Sequence, residues 1–105
     1  MQLTLWGYRI VRELPKEEDM LRQDIYHTLI DLPATISESF AKSLPPDIIR
    51  KLHQARHDLF RLHSLFELAY QLGYTQEHTL GSFHEKAQHI FTLINQRTSR
   101  YKRKM

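Results

Sequence analysis

A chain of 105 residues, 41% of them hydrophobic and with a net charge of +3, amounts to one domain; at that length about two thirds of the unfolded surface is buried without covalent staples. It contains no Cys, which excludes a disulfide frame, a thiolate zinc site and a thiol nucleophile. No apolar run approaches the ~20 residues of a membrane span, and no basic stretch followed by an apolar core opens the chain, so a cytoplasmic protein is expected.

Leu3, Trp6, Ile10 and Leu14, with Val11 beside them, step by three and four and predict a first helix over 2–14, stopped by Pro15. Glu17, Glu18 and Asp19 suit the positive start of a second helix over 18–43. Its stripe is Leu21, Ile25, Leu29, Leu32, Ile36 and Phe40. Pro33 lies inside that stripe and removes one backbone hydrogen bond. Because the stripe keeps its phase on both sides, the proline predicts a kink and not a break. The hydroxyls of Thr35, Ser37 and Ser39 are placed to bond back to the carbonyls it frees.

The third stretch organises the rest. Ile48, Leu52, Ala55, Leu59, Leu62, Phe66 and Ala69 hold a heptad stripe without interruption and predict a helix over 47–73. Pro45 and Pro46 mark its start and Gly73 its left-handed end. Leu80, Phe83, Ala87, Ile90 and Ile94 then predict a fourth helix over 76–101 with Thr75 as cap, its proper start near Ser82 because Gly81 weakens the first turns. Beyond Ile94 the stripe falls on Arg97 and Tyr101, where a core runs out. Four in-phase stripes with short links predict an all-α, antiparallel up-and-down bundle occupying residues 1–105 as a single domain, with a basic tail over 97–105.

Some apolar residues miss these stripes. Tyr8 and Leu5 lie off the first, Phe60 and Leu68 off the third, and Leu65, Tyr70 and Leu72 widen its flanks. A patch running along one helix marks an interface. Self-association is therefore expected, with Tyr8, Phe60, Leu65 and Leu68 as the candidate contacts.

Two segments also resemble a known family. Leu32 to Phe40, reading LPATISESF, resembles the I-P-A-N-I-A-E-G-F signature of small four-helix-bundle proteins encoded in intervening sequences of bacterial 23S rRNA genes. The spacing A-x-x-x-L-x-x-L-x-x-x-x-E-x-A-x-x-L-G-Y, from Ala55 to Tyr74, resembles that family's third helix, and Leu14 to Glu18 its Leu-Pro-Lys-Glu-Glu turn. The resemblance implies a homopentameric ring with a basic, nucleic-acid-binding surface. In a related branch, the accessory protein of diversity-generating retroelements, it implies a reverse transcriptase partner. This sequence departs from the signature at Thr35 and Ser39, which stand for Asn and Gly, and at Tyr26-His27, which replaces an Arg-Arg pair.

Charge points to a polyanionic partner. Residues 50–105 carry ten Lys/Arg against four Asp/Glu, and residues 1–49 five against eight. The candidate phosphate contacts are Arg97, Arg100, Lys102, Arg103 and Lys104, followed by Arg50, Lys51, Arg56 and Arg61. Arg56 comes last because it borders the seam, where Glu67 or Asp58 of a neighbouring copy can pair with it. No groove-reading cluster and no aromatic platform stands out, so backbone or shape recognition of structured RNA is expected. The competing class is a protein-interaction scaffold, such as an accessory subunit of a reverse transcriptase.

Other constellations carry less. His53 and His57 have metal-ligand spacing, but Asp58 points about 100° away on the helical wheel. They read as part of the basic face, and no metal or cofactor is expected. Glu38 and Glu67, acids in apolar settings, are read as hydrogen-bond partners and not as a general acid–base pair. With three glycines there is no phosphate-cradling loop, and no enzyme is expected.

Overall fold

The computed structural model describes residues 2–105 and contains four α-helices: α1 (Gln2–Arg12), α2 (Asp19–Ala41), α3 (Pro45–Gln71) and α4 (Glu77–Lys102). Between α2 and α3, Asp24 meets Arg61 and Glu38 meets Lys51; between α3 and α4, Phe60 meets Phe91 and Phe66 meets Phe83. Each pair steps forward on one helix and backward on the next, so neighbours are antiparallel. The fold is the expected all-α bundle, 46 × 22 × 19 Å in extent.

The α3 stripe is its spine, and all seven residues from Ile48 to Ala69 are buried. Pro45 and Pro46 open α3, and Asp47 in its first turn pairs with Arg50 at 3.2 Å. At the other end Gly73 takes φ +82°, a conformation that costs a residue without Cβ little. Its N–H bonds the Tyr70 carbonyl at 2.9 Å, and the Tyr74 N–H bonds that of Ala69 at 3.0 Å. These two bonds make a Schellman cap. The Tyr74 hydroxyl then donates to Glu18 Oε1 at 2.8 Å, tying the end of α3 to the start of α2. The Leu-Gly-Tyr and Leu-Pro-Lys-Glu-Glu segments noted in the sequence are thereby joined in space.

Pro33 sits within an uninterrupted α2. A proline has no N–H for the carbonyl four residues back, which is that of Leu29. The hydroxyls expected to compensate do not. Ser39 bonds the Ile36 carbonyl, and the Leu29 carbonyl instead accepts from Thr4 Oγ1 of α1 at 3.1 Å. One turn on, Gly7 lies so close to Leu29 that an added Cβ would stand 2.7 Å from its methyl groups. Thr4 and Gly7, three apart on one helix face, therefore seat α1 on the proline site of α2.

Several expectations are corrected. The buried line of α1 is Leu3, Gly7 and Val11, with Trp6 and Ile10 only half-buried, because apolar counting overlooks a glycine in a contact. In α2 the stripe leaves the core near its end. Ile36 is half-buried and Phe40 is 64% exposed, while Ser39 is fully buried at the position where the resembled signature has Gly. The fourth helix starts at Glu77 with Gln76 as its N-cap, so neither Thr75 nor Ser82 begins it. Gly81 lies within that helix, where nothing crowds it.

Candidate nucleic-acid interface

The four helices are unequal. α1 has 11 residues and the others 23 to 27; at ~1.5 Å per residue α1 reaches only about 16 Å along the bundle. It covers the half containing the α1–α2 and α3–α4 links. The other half, where α2 turns into α3 and α4 ends, is built from three helices. That open half, residues 31–58 and 90–105, carries nine Lys/Arg against four Asp/Glu; the rest of the chain carries six against eight.

Every predicted cation of α3 has a partner within the chain. Arg50 pairs with Asp47 at 3.2 Å and Lys51 with Glu38 at 2.6 Å. Arg61 makes a two-pronged pair with Asp24, and that hydrogen bond raises its pKa further. Arg56 donates to Asn95 Oδ1 of α4. Exposed ion pairs stabilise little, about 0–1 kcal/mol, but those of Arg50, Lys51 and Arg61 spend cationic charge on carboxylates inside the chain, while Arg56 is held by a neutral amide.

The predicted tail is mostly helix, since α4 runs to Lys102. The Arg97 guanidinium stands over the Phe40 ring, 3.8 Å from its centroid, and 5.0 Å from that of Tyr101. Lys104 Nζ also stands over the Tyr101 ring, 5.1 Å from its centroid. Arg100, Lys102 and Arg103 are exposed, and none of the five has a carboxylate partner among the described residues. These are the cations with charge to spare.

The candidate contacts between copies divide similarly. Tyr8 packs on Tyr26 with ring centroids 4.7 Å apart, and Leu65 is half-buried against the core. Phe60 remains 55% exposed beside Phe91, and Leu68 is 47% exposed.

Among the acids, Glu38 is not in an apolar setting: it is exposed, and the Lys51 hydrogen bond and charge hold its pKa below the usual carboxylate range. Glu67 is half-buried and accepts from Gln71 at 3.4 Å. Asp58 differs. Burial, and then the charge of Asp31, push its pKa up against the opposing pull of His57 and Arg61. Asp31, His53, His57 and Asp58 line one shallow concavity between α2 and α3, so Asp58 is nearer the histidines than the helical wheel implied. Among the described residues no three His, Asp or Glu side chains converge as a metal site would need. No helix among them is long and apolar enough to cross a membrane.

A family model described as 23S rRNA-intervening sequence protein matches residues 1–96. The chain belongs to that family. The match takes in the Thr4–Leu29 seat, the Pro33 segment and the Leu72-Gly73-Tyr74 cap, and it ends one residue before Arg97. The densest cations of this member of the intervening-sequence family thus lie beyond the matched stretch. No curated protein and no solved structure matches the chain.

Proposed function

We propose that this intervening-sequence protein is a non-enzymatic, homo-oligomeric nucleic-acid-binding protein that holds structured RNA at the open end of its bundle. The observation that carries the reading is the group Arg100, Lys102 and Arg103, exposed and without a carboxylate partner, at the end where bases outnumber acids nine to four. Phosphate binding needs only cationic side chains on one surface, and displaced counterions supply the free energy. A closed ring, a pentamer by the family resemblance, repeats that surface, and Phe60 and Leu68 are the apolar side chains with area left for a neighbouring copy. Arg50, Lys51, Arg56 and Arg61 rank lower because each is already engaged.

The test is charge neutralisation and not truncation, because Tyr101 is packed against the core and Arg97 is stacked on it. Arg100, Lys102 and Arg103 are changed together to Gln. Every phosphate left un-neutralised lowers the log–log salt slope by about 0.7–0.9, so the triple variant flattens the slope by about 2–2.7 and weakens unrelated RNA sequences alike. A slope equal to wild type ends the assignment to these residues. If the wild type binds no RNA even at low salt, the scaffold reading replaces this one. Light scattering tests the ring: a mass of 12.6 kDa, that of one chain, sinks it.

A further inference from the structure

Helices α3 and α4 leave a hollow of about 220 Å³ between them, lined by Phe60, His63, Phe83, His84, Gln88 and Phe91 among others. Phe83 is buried, Phe91 is half-buried, and Phe60 stands exposed beside Phe91. His63 and His84, one from each helix, have ring centroids 5.0 Å apart, and both rest near the Phe83 ring, at 6.2 and 5.8 Å. They are the only titratable residues of the lining, which includes no carboxylate, Lys or Arg. The charged neighbours turn elsewhere. Arg56, one turn before Phe60, donates to Asn95; Glu67, one turn past His63, accepts from Gln71; and Lys86 stands over Trp6 of α1. Glu85 and His89 are exposed and do not line the hollow. In the concavity between α2 and α3, by contrast, His57 lies with Asp31 and Asp58, so a proton taken up there meets a counter-charge. At His63 and His84 it meets none.

We infer that this imidazole pair is a proton switch on the contact between copies: neutral, it lets a second copy cover the hollow, and protonated, it releases that copy. The inference rests on the homo-oligomer reading, which already gives Phe60 and Leu68 of this helix to a neighbouring copy, and adds the regulation of that contact. An aromatic hollow without a single Lys or Arg offers nothing to a phosphodiester chain, and it continues the apolar area that Phe60 begins. Covering it takes both imidazoles out of water, which penalises only their charged forms. Two charged rings at this separation also repel each other. The separated chain therefore binds protons more readily than the assembled one. Assembly is lost as pH falls through the range where histidine charges, roughly pH 8 to 5. Each proton taken up on separation weakens a contact about tenfold per pH unit.

The test is light scattering of the full chain at fixed concentration from about pH 8 to about pH 5, with circular dichroism alongside. The mass should fall toward the 12.6 kDa of one chain across that range while helicity is kept. His84→Gln, at an exposed position, should move the release to lower pH, and adding His63→Gln should abolish it. His84→Lys fixes a charge beside His63 and should lower the mass already at neutral pH. His57→Gln should respond to pH as the wild type does. A mass that does not change with pH overturns the switch and leaves the assembly standing, whereas the mass of one chain at every pH overturns both. Release of the double Gln variant at the wild-type pH overturns the assignment to this pair, as does a fully assembled His84→Lys at neutral pH. Helicity lost together with mass also overturns it, because unfolding then accounts for the release.

Discussion

The two halves of this bundle are built from the same heptad stripes and come to different ends. In the closed half α1 completes the layer, and Trp6 stands 5.4 Å from Phe66, which in turn meets Phe83 at 5.2 Å. In the open half the stripes run on through Ile36, Phe40 and Ile90, where among the described residues α1 does not reach. Phe40 is left holding a guanidinium in place of a hydrocarbon neighbour. The difference teaches that a periodic stripe reports which face of a helix is apolar, and not whether anything covers it. Coverage depends on where the neighbouring helices lie, which the stripe itself does not encode. Charge divides along the same line, so the wetter half is also the basic one.

The largest expected effect separates the halves directly. Phe66→Ala empties a fully buried ring site and should cost about 3–5 kcal/mol in urea unfolding. Phe40→Ala in the open half should stay within about 0.5 kcal/mol. Comparable losses at the two sites would erase the distinction between the halves. Next comes the seat of α1. Thr4→Val keeps the shape but leaves the Leu29 carbonyl, already deprived of a helical partner by Pro33, without a donor. A loss of about 1–3 kcal/mol is expected. In a Pro33→Ala background the helix supplies its own N–H, so the cost of Thr4→Val should shrink, a coupling that a double-mutant cycle reads. Purely additive changes would mean that Thr4 acts by packing alone.

Much of this architecture was legible in the sequence. The four stripes, the proline pair before α3 and Gly73 placed the helices to within a few residues, because periodicity and punctuation are local properties. What failed was relational. Leu29 could be named as the carbonyl orphaned by Pro33 simply by counting back four residues. That Thr4 would answer it required knowing that α1 lands there. Gly7 gave no apolar signal, although a Thr and a Gly three apart on one helix face are a mark of close approach. The candidate cations were read correctly as bases, but their neutralisation by Asp24, Glu38 and Asp47 belongs to the register between helices. Phe40 was assigned to the core for the same reason: its own stripe is intact, and the missing partner lies in another helix.

The smallest effect concerns two carboxylates with opposite signs. Glu38, on the open half, is held below the ordinary range, chiefly by the hydrogen bond from Lys51. Its contribution is present above the unfolded-state pKa and is lost as pH falls through the lower folded one. Glu38→Gln should therefore lower Tm slightly at neutral pH and match wild type in acid. Asp58, near the middle of α3, is shifted the other way by burial and by the charge of Asp31. Its folded state holds the proton more tightly than the unfolded chain does. The stability this contributes is full below the unfolded pKa and is lost as pH rises through the raised folded value. At neutral pH the ionised group is then a burden, which His57 and Arg61 relieve only in part. Asp58→Asn should raise Tm slightly at neutral pH, and the advantage should fade as the solution is acidified. Parallel melting curves for the two variants from acid to neutral pH decide the point: the gaps to wild type must open in opposite directions. If the gap for Asp58→Asn does not change with pH, Asp58 is an ordinary surface carboxylate and its burial between α2 and α3 has no energetic consequence; if it opens in the same direction as that for Glu38→Gln, the ionised Asp58 stabilises the fold.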